Sequence, residues 1–235
     1  DYLTLALVRQ NEALEAAARS AKAVIPVYVW CPNDEGEWPP GAASRWWIHE
    51  SLARLGHALR EKGSTLILRR GPAAEVLPAL ARETGATRLF YSARNEPAAL
   101  HTERAAVEAL RRDGVESLRF QASMLVEPGS IHGRTGDKLQ VFTPFLEAFL
   151  KQAEIRPPRP SPPRLPAPLH WPATEPLAAL GLLPQIPWHT SLARHWQPGE
   201  QAARAQLKSF VAKGLANYDI HRDRPDLPGS SRLSP

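Results

Sequence analysis

The chain alternates short apolar runs with longer stretches whose apolar positions recur every three or four residues. Leu3–Val8 reads as a short strand, and the alanine-rich stretch Glu12–Ala23 as the helix after it. Ala23-Val24-Ile25-Pro26-Val27-Tyr28-Val29-Trp30 is almost unbroken apolar sequence, as in a parallel strand covered on both faces. Beyond the Pro39-Pro40-Gly41 turn, Ser44 is placed to cap a helix carrying Ile48, Leu52, Leu55 and Leu59, and Gly63 to end it. Thr65–Leu68 predicts a strand and Pro72–Arg82 a helix stopped by Gly85. Arg88–Ser92 follows as strand, Pro97–Arg112 as helix and Val115–Phe120 as strand.

Strand and helix in this alternation imply parallel strands joined by right-handed crossovers. The predicted fold class for residues 1–150 is α/β, a Rossmann-like open, mostly parallel sheet with helices on both faces. Ligands of such sheets sit beyond the carboxyl ends of the strands. The loops after Trp30, Leu68, Ser92 and Phe120 are therefore the places to search. None carries G-x-G-x-x-G, G-x-x-x-x-G-K-[ST] or G-x-S-x-G, so a dehydrogenase, a P-loop NTPase and an α/β-hydrolase all lack motif support.

Proline changes the picture after residue 150. The chain has 24 prolines, about twice the usual ~5%, and eleven of them fall between Pro157 and Pro187. Such a stretch continues neither a helix nor a central strand. Residues 151–195 read as an extended connector. Leu169, Trp171, Leu177, Leu180, Leu182, Leu183 and Trp188 call for burial, so the connector is expected to lie ordered against a folded body rather than to be a loose linker. After Trp196-Gln197-Pro198-Gly199-Glu200 a helix is predicted, with Ala203, Leu207, Phe210, Val211, Leu215 and Tyr218 at spacings of three and four.

With 235 residues, 43% hydrophobic and 23% charged, the chain has room for one large domain or for one domain plus part of another. No apolar run approaches the roughly 20 residues of a membrane-spanning helix. Cys31 is the single cysteine, which excludes an internal disulfide and a cysteine-built zinc site and points to a reducing, cytoplasmic compartment. The net charge of +5 suggests nucleic-acid binding until it is located. Residues 1–150 hold 18 basic and 18 acidic side chains, so the whole excess lies in the last third, where it reads as solvated surface. A start at Asp1 and an ending at Ser-Arg-Leu-Ser-Pro read as a piece of something larger.

Candidate chemistry is sparse. His49 and His57 lie eight apart and no H-x-x-x-H pair occurs, so no metal site is expected. Trp46-Trp47 would either stack on a planar ligand or serve as core and rim aromatics. Tyr91-Ser92-Ala93-Arg94-Asn95-Glu96-Pro97 sets charge between a buried strand and a helix start, as a ligand contact or as plain strand-end polarity. Gly133-Arg134-Thr135-Gly136-Asp137 reads as a hairpin connection. At the C-terminus, Gly229-Ser230-Ser231-Arg232 places hydroxyls and free N–H groups beside a guanidinium, a combination that suits a pyrophosphate, though small polar loops of other kinds share it.

Four segments together resemble the DNA photolyase/cryptochrome family. They are Val24–Trp30 with Pro40-Gly41-Ala42-Ala43-Ser44-Arg45-Trp46-Trp47; Phe90 to Pro97, similar to the family's aromatic-Asn-x-x-x-Glu-Pro segment; Val141-Phe142-Thr143-Pro144-Phe145, similar to its FTPF segment; and the helix ending in Arg222-Asp223-Arg224-Pro225 with Gly229–Pro235. The resemblance implies an α/β antenna domain over 1–150, a connector over 151–195 and, over 196–235, the start of an all-α domain that binds FAD. It assigns Tyr218, Ser230, Ser231, Arg232, Leu233 and Ser234 to FAD, and Arg45, Arg94 and Glu96 to an antenna chromophore. The implied activity is light-driven repair of pyrimidine dimers in DNA. The lesion is flipped out to the flavin, and the cofactor carries the chemistry.

Two departures refine the expectation. Family members usually open with V-W-F-R and a D-L-R-L-x-D-N loop, whereas here Leu7-Val8-Arg9-Gln10 runs almost directly into Asn11-Glu12-Ala13-Leu14. In folate-type members the antenna Glu is followed, after one residue, by Asn-Glu; this chain has Glu96-Pro97-Ala98-Ala99, which disfavours folate and leaves a deazaflavin or FMN antenna or an empty pocket. The chain by itself is expected to be a monomer, inactive in repair, with damaged DNA as a partner only through a further domain and with no membrane partner. A cryptochrome-like photoreceptor and a free-standing nucleotide-binding module are the alternatives.

Overall fold

The computed structural model describes residues 12–121, 125–126, 129–133, 136–154, 161–227 and 229–230. Helix α1 spans Glu12–Ser20, and strand β1 spans Val27–Trp30. Helix α2 (Ala42–Glu61) carries the chain over to strand β2 (Ile67–Arg70), which lies parallel to β1 with Val27 opposite Ile67 and Trp30 opposite Arg70. Helix α3 (Ala73–Thr84) leads to a second parallel pair, β3 (Arg88–Ser92) and β4 (Glu116–Phe120), joined by helix α4 (Pro97–Arg112). The described residues thus form two two-stranded parallel sheets, and the strand expected over Leu3–Val8 lies outside them.

Strand β1 is shorter than its apolar run. Pro26 has no N–H to extend the ladder, although its carbonyl accepts from Ile67, and the Val24 N–H bonds to the carbonyl of Pro166 in the connector. Helix α2 begins two residues before the expected cap. Gly41 is its N-cap and Ser44 stands inside the first turn, because the Gly41 carbonyl already accepts the Arg45 N–H at 2.9 Å. Helix α3 ends as predicted, on Gly85 in the left-handed region at φ +68, with its N–H bonded to the Ala81 carbonyl.

The main core lies between α2 and the first sheet. Tyr28 and Trp30 of β1, Leu66 and Leu68 at β2, and Leu52, Leu55 and Leu59 on one face of α2 pack together. Leu165, Leu180 and Leu182 of the connector complete this cluster, each almost fully buried. A smaller cluster of Ala81, Leu110 and Val115 holds α3 and α4 to the second sheet.

The connector also closes the outer edge of β2. Thr174 Oγ1 accepts the Leu68 N–H at 2.9 Å, and the Glu175 N–H donates to the Leu68 carbonyl at 3.0 Å. An edge strand left bare is a template for foreign strands, and here the chain covers its own. The expectation of an ordered crossover therefore holds, but not at every residue named for burial. Leu169 is 97% exposed, and Leu183 and Trp188 also lie open, because the covered side of the connector is confined to Leu165, Leu177, Leu180 and Leu182.

Beyond β4, His132 and Lys138 pair antiparallel around a turn in which Gly136 takes φ +85, matching the hairpin reading. Helix α5 (Phe142–Gln152) follows, then α6 (His189–His195), α7 (Glu200–Lys213) and the single turn α8 (Tyr218–His221). Trp47 and Trp196 meet edge to face at 6.2 Å, which ties the end of α6 to the start of α2. Among the described residues α5 and α7 bury no side chain fully, and Phe142, Leu150, Leu207, Val211 and Leu215 are exposed. No helix among the described residues is long and apolar enough to cross a membrane.

Candidate functional site

Two of the four loops singled out at the carboxyl ends of the strands come together. After β1 the chain makes a short 3-10 turn over Pro32–Glu35; after β3 it runs through Ala93–Glu96 into α4. Arg94 meets Glu35 in a two-point contact, Nη1 to Oε1 and Nη2 to Oε2, each at 3.1 Å, with both side chains largely buried. Glu96 Oε2 lies 3.5 Å from Arg94 Nε. Asp34 Oδ2 accepts the Ala73 N–H at the start of α3, and the Asp34 carbonyl accepts the Thr102 hydroxyl of α4.

This turn is therefore stitched to α3, to α4 and to the β3 loop. Gly36 makes the stitching possible at φ +70, since a Cβ there would stand 3.1 Å from the Ala98 Cβ. Sequence reasoning selected Arg94 and Glu96 but missed Asp34, Glu35 and Thr102. The signal available was the acidic pair Asp34-Glu35 in the loop that follows the buried strand ending at Trp30.

Arg45 is not part of this cluster. No hydrogen bond or ion pair joins it to Arg94 or Glu96 among the described residues, and its Nε is buried without a hydrogen-bond partner. One turn along α2, His49 is held below the ordinary imidazole range by burial and by nearby His189, against the opposing pull of Glu50. Further along α4, Tyr91 donates to Glu103 Oε1 at 3.1 Å, and Arg119 donates to the same oxygen at 2.9 Å. Burial and the Glu103 carboxylate push the Tyr91 hydroxyl up to about 12.

Cavity volume alone points elsewhere. A cavity of about 650 Å³ lies towards the amino ends of the strands with a mostly aliphatic lining from α1, β1, α3 and β3. Its charged lining residues are Lys22 and Arg88, the latter donating to the Ser20 carbonyl at 2.9 Å. A smaller one of about 140 Å³ reaches Ser92, Arg94, Ala99 and Thr102 near the carboxyl ends.

The second candidate site lies at the C-terminus. Tyr218 packs edge-on against Phe210 at 5.9 Å, and the Arg222 guanidinium sits 5.8 Å over the Tyr218 ring. Arg224 grips Asp226 through two hydrogen bonds of 2.9 and 2.7 Å, which fixes the Arg-Asp-Arg-Pro turn. A Cβ on Gly229 would collide with the His221 carbonyl, so only glycine lets the chain fold back against α8 and present Ser230 to solvent. Tyr218 opens α8, and Ser230 follows the glycine that folds back on the end of that helix. Ser231, Arg232, Leu233 and Ser234 lie outside the described residues. A glycine-tight turn followed by an exposed hydroxyl offers donors compatible with the phosphates of FAD.

The DNA photolyase family profile matches residues 8–167. A deoxyribodipyrimidine photo-lyase of Agrobacterium fabrum is 36% identical over 96% of this chain and 47% of its own length. Cryptochrome-2 of Arabidopsis thaliana is 31% identical over 97% of this chain and 38% of its own. The crystal structure of a class III photolyase from Agrobacterium tumefaciens superposes with a TM-score of 0.89 at 35% identity, covering 97% of this chain and 47% of that one. The chain spans about half the length of the photolyases it matches. On the profile match, the relatives and the shared α/β architecture, the chain belongs to the DNA photolyase family.

Proposed function

We propose that this chain supplies the light-harvesting α/β domain (1–150), the connector (151–195) and the first part of the FAD-binding helical domain (196–235) of a deoxyribodipyrimidine photolyase. The observation that carries the reading is the 36% identity to the Agrobacterium fabrum photo-lyase, which runs through the connector and into the Tyr218–Ser230 turn. Bound reduced FAD would supply a light-driven electron to a cyclobutane pyrimidine dimer. This chain's residues position it. Tyr218 and Ser230, with Ser231, Arg232, Leu233 and Ser234, would hold the FAD phosphates through hydroxyls, N–H groups and a guanidinium. The exposed apolar positions of α7 would pack against the remainder of the helical domain, where damaged DNA would bind. For the antenna, the reading favours a deazaflavin or FMN at the carboxyl edge.

The test joins residues 1–235 to the C-terminal half of the Agrobacterium photolyase and measures flavin absorbance and loss of dimers from irradiated DNA under blue light. Retained FAD with dimer loss is the expected result, and Ser230→Ala should lower FAD retention. A folded fusion without flavin would overturn the assignment. A fusion that holds FAD but leaves dimers intact would favour the second reading, a cryptochrome-like photoreceptor, to which the likeness to Cryptochrome-2 lends weight.

A further inference from the structure

The 3-10 turn after β1 presents two acidic side chains in succession, and each rests on a positive feature of the carboxyl edge. Glu35 takes both terminal nitrogens of Arg94, and Asp34 takes the first free N–H of α3. An arginine fork beside a helix N-terminus is what an α/β sheet offers to a ligand's phosphates at this edge. Here the chain's own carboxylates occupy both.

Charge and space agree. The one positive charge of Arg94 faces the carboxylates of Glu35 and Glu96, so the surroundings carry an excess of negative charge that a phosphate would have to enter. The space beside Arg94 is about 140 Å³, below the roughly 300–1,000 Å³ of small-molecule pockets. The turn runs close to the start of α4, where a Cβ on residue 36 would stand 3.1 Å from the Ala98 Cβ.

We propose that Glu35 is an autoinhibitory ligand of Arg94, a carboxylate standing where the phosphate of a phosphate-bearing chromophore or nucleotide would bind, and that it keeps this crevice shut. The proposal rests on the reading of the carboxyl edge as the chromophore crevice. It differs in what opens the site, which is release of Glu35 rather than arrival of a ligand in a vacant pocket.

The experiment titrates the 235-residue chain with inorganic pyrophosphate and, separately, with FMN, by calorimetry. Glu35→Gln keeps the shape of the side chain and the Asp34 contact to α3 while removing the competing charge. Pyrophosphate should bind at least tenfold more tightly to this variant than to the unaltered chain, and adding Arg94→Ala should erase the gain. Equal affinity for the two chains, or a gain that survives Arg94→Ala, would overturn the proposal. Glu35→Asp, which keeps the charge but draws it back by one methylene, should show an intermediate gain and serves if the glutamine variant fails to fold. Should FMN follow pyrophosphate, the chromophore reading of this edge stands too; a pyrophosphate gain without FMN binding leaves the autoinhibitory contact intact and removes that reading.

Discussion

Replacing Leu180 with alanine tests whether the connector is part of the folded body. Leu180 is 1% exposed and packs in the cluster that includes Tyr28, Trp30 and the apolar face of α2. The substitution removes three buried carbons, worth about 2.4 kcal/mol at ~0.8 kcal/mol each. The cavity left behind brings the cost to about 3 kcal/mol, inside the ~2–5 kcal/mol span of such truncations. For a chain of this size that corresponds to a fall in Tm of about 6–12 °C. Urea unfolding followed by circular dichroism reads the change, with Leu169→Ala as the internal control. Leu169 is 97% exposed, and its truncation should cost less than about 0.5 kcal/mol. If the two variants unfold at the same urea concentration, the connector contributes no core and the account of its burial is wrong.

Two pH measurements follow from the side chains beside the sheets. The Tyr91 hydroxyl is pushed up to about 12, so one of the four tyrosines should resist ionisation in an ultraviolet absorbance titration until well above the ordinary ~10. The folded state then holds a proton that the unfolded chain has lost, so stability should fall as pH rises from 10 towards 12. Glu103→Gln should bring the late tyrosine down, and an unchanged titration would contradict the assignment. For His49 the sign is opposite. Its depressed folded value means that the unfolded chain takes up the proton first, so its contribution is complete above about 6.5 and is lost as pH drops below that. The slope of stability between pH 7 and 5 should flatten in His49→Gln; a slope unaltered by the change would show that His49 plays no part.

Much of the fold was legible because parallel α/β sequences write their elements in apolar periodicity. Strand Arg88–Ser92 and helix Pro97–Arg112 coincide with their predicted limits, bounded by Gly85 and by Pro97 at a helix start. Where tertiary partners set the boundary, periodicity misled. Val24 looks like strand but bonds to Pro166, and β2 runs on to Arg70 because its ladder follows Trp30 rather than the end of its own apolar run. The carboxyl-edge site was half legible. Arg94 and Glu96 stand out beside a strand end, whereas Glu35 is an ordinary surface-type residue until folding brings it 59 positions along the chain to Arg94. Periodicity carries no record of such a pairing, because a polar contact between two loops leaves no repeat.

The cover on β2 sets a timetable for synthesis. Leu68 finds its partner at Thr174, 106 residues later. At about 5–20 residues per second, the ribosome leaves that strand edge open for roughly 5–20 s after β2 has emerged. During that interval the nascent chain offers a bare edge to any neighbour. A synonymous recoding that slows translation between codons 70 and 174 should therefore lower soluble yield without altering a single amino acid, and one that speeds it should raise the yield.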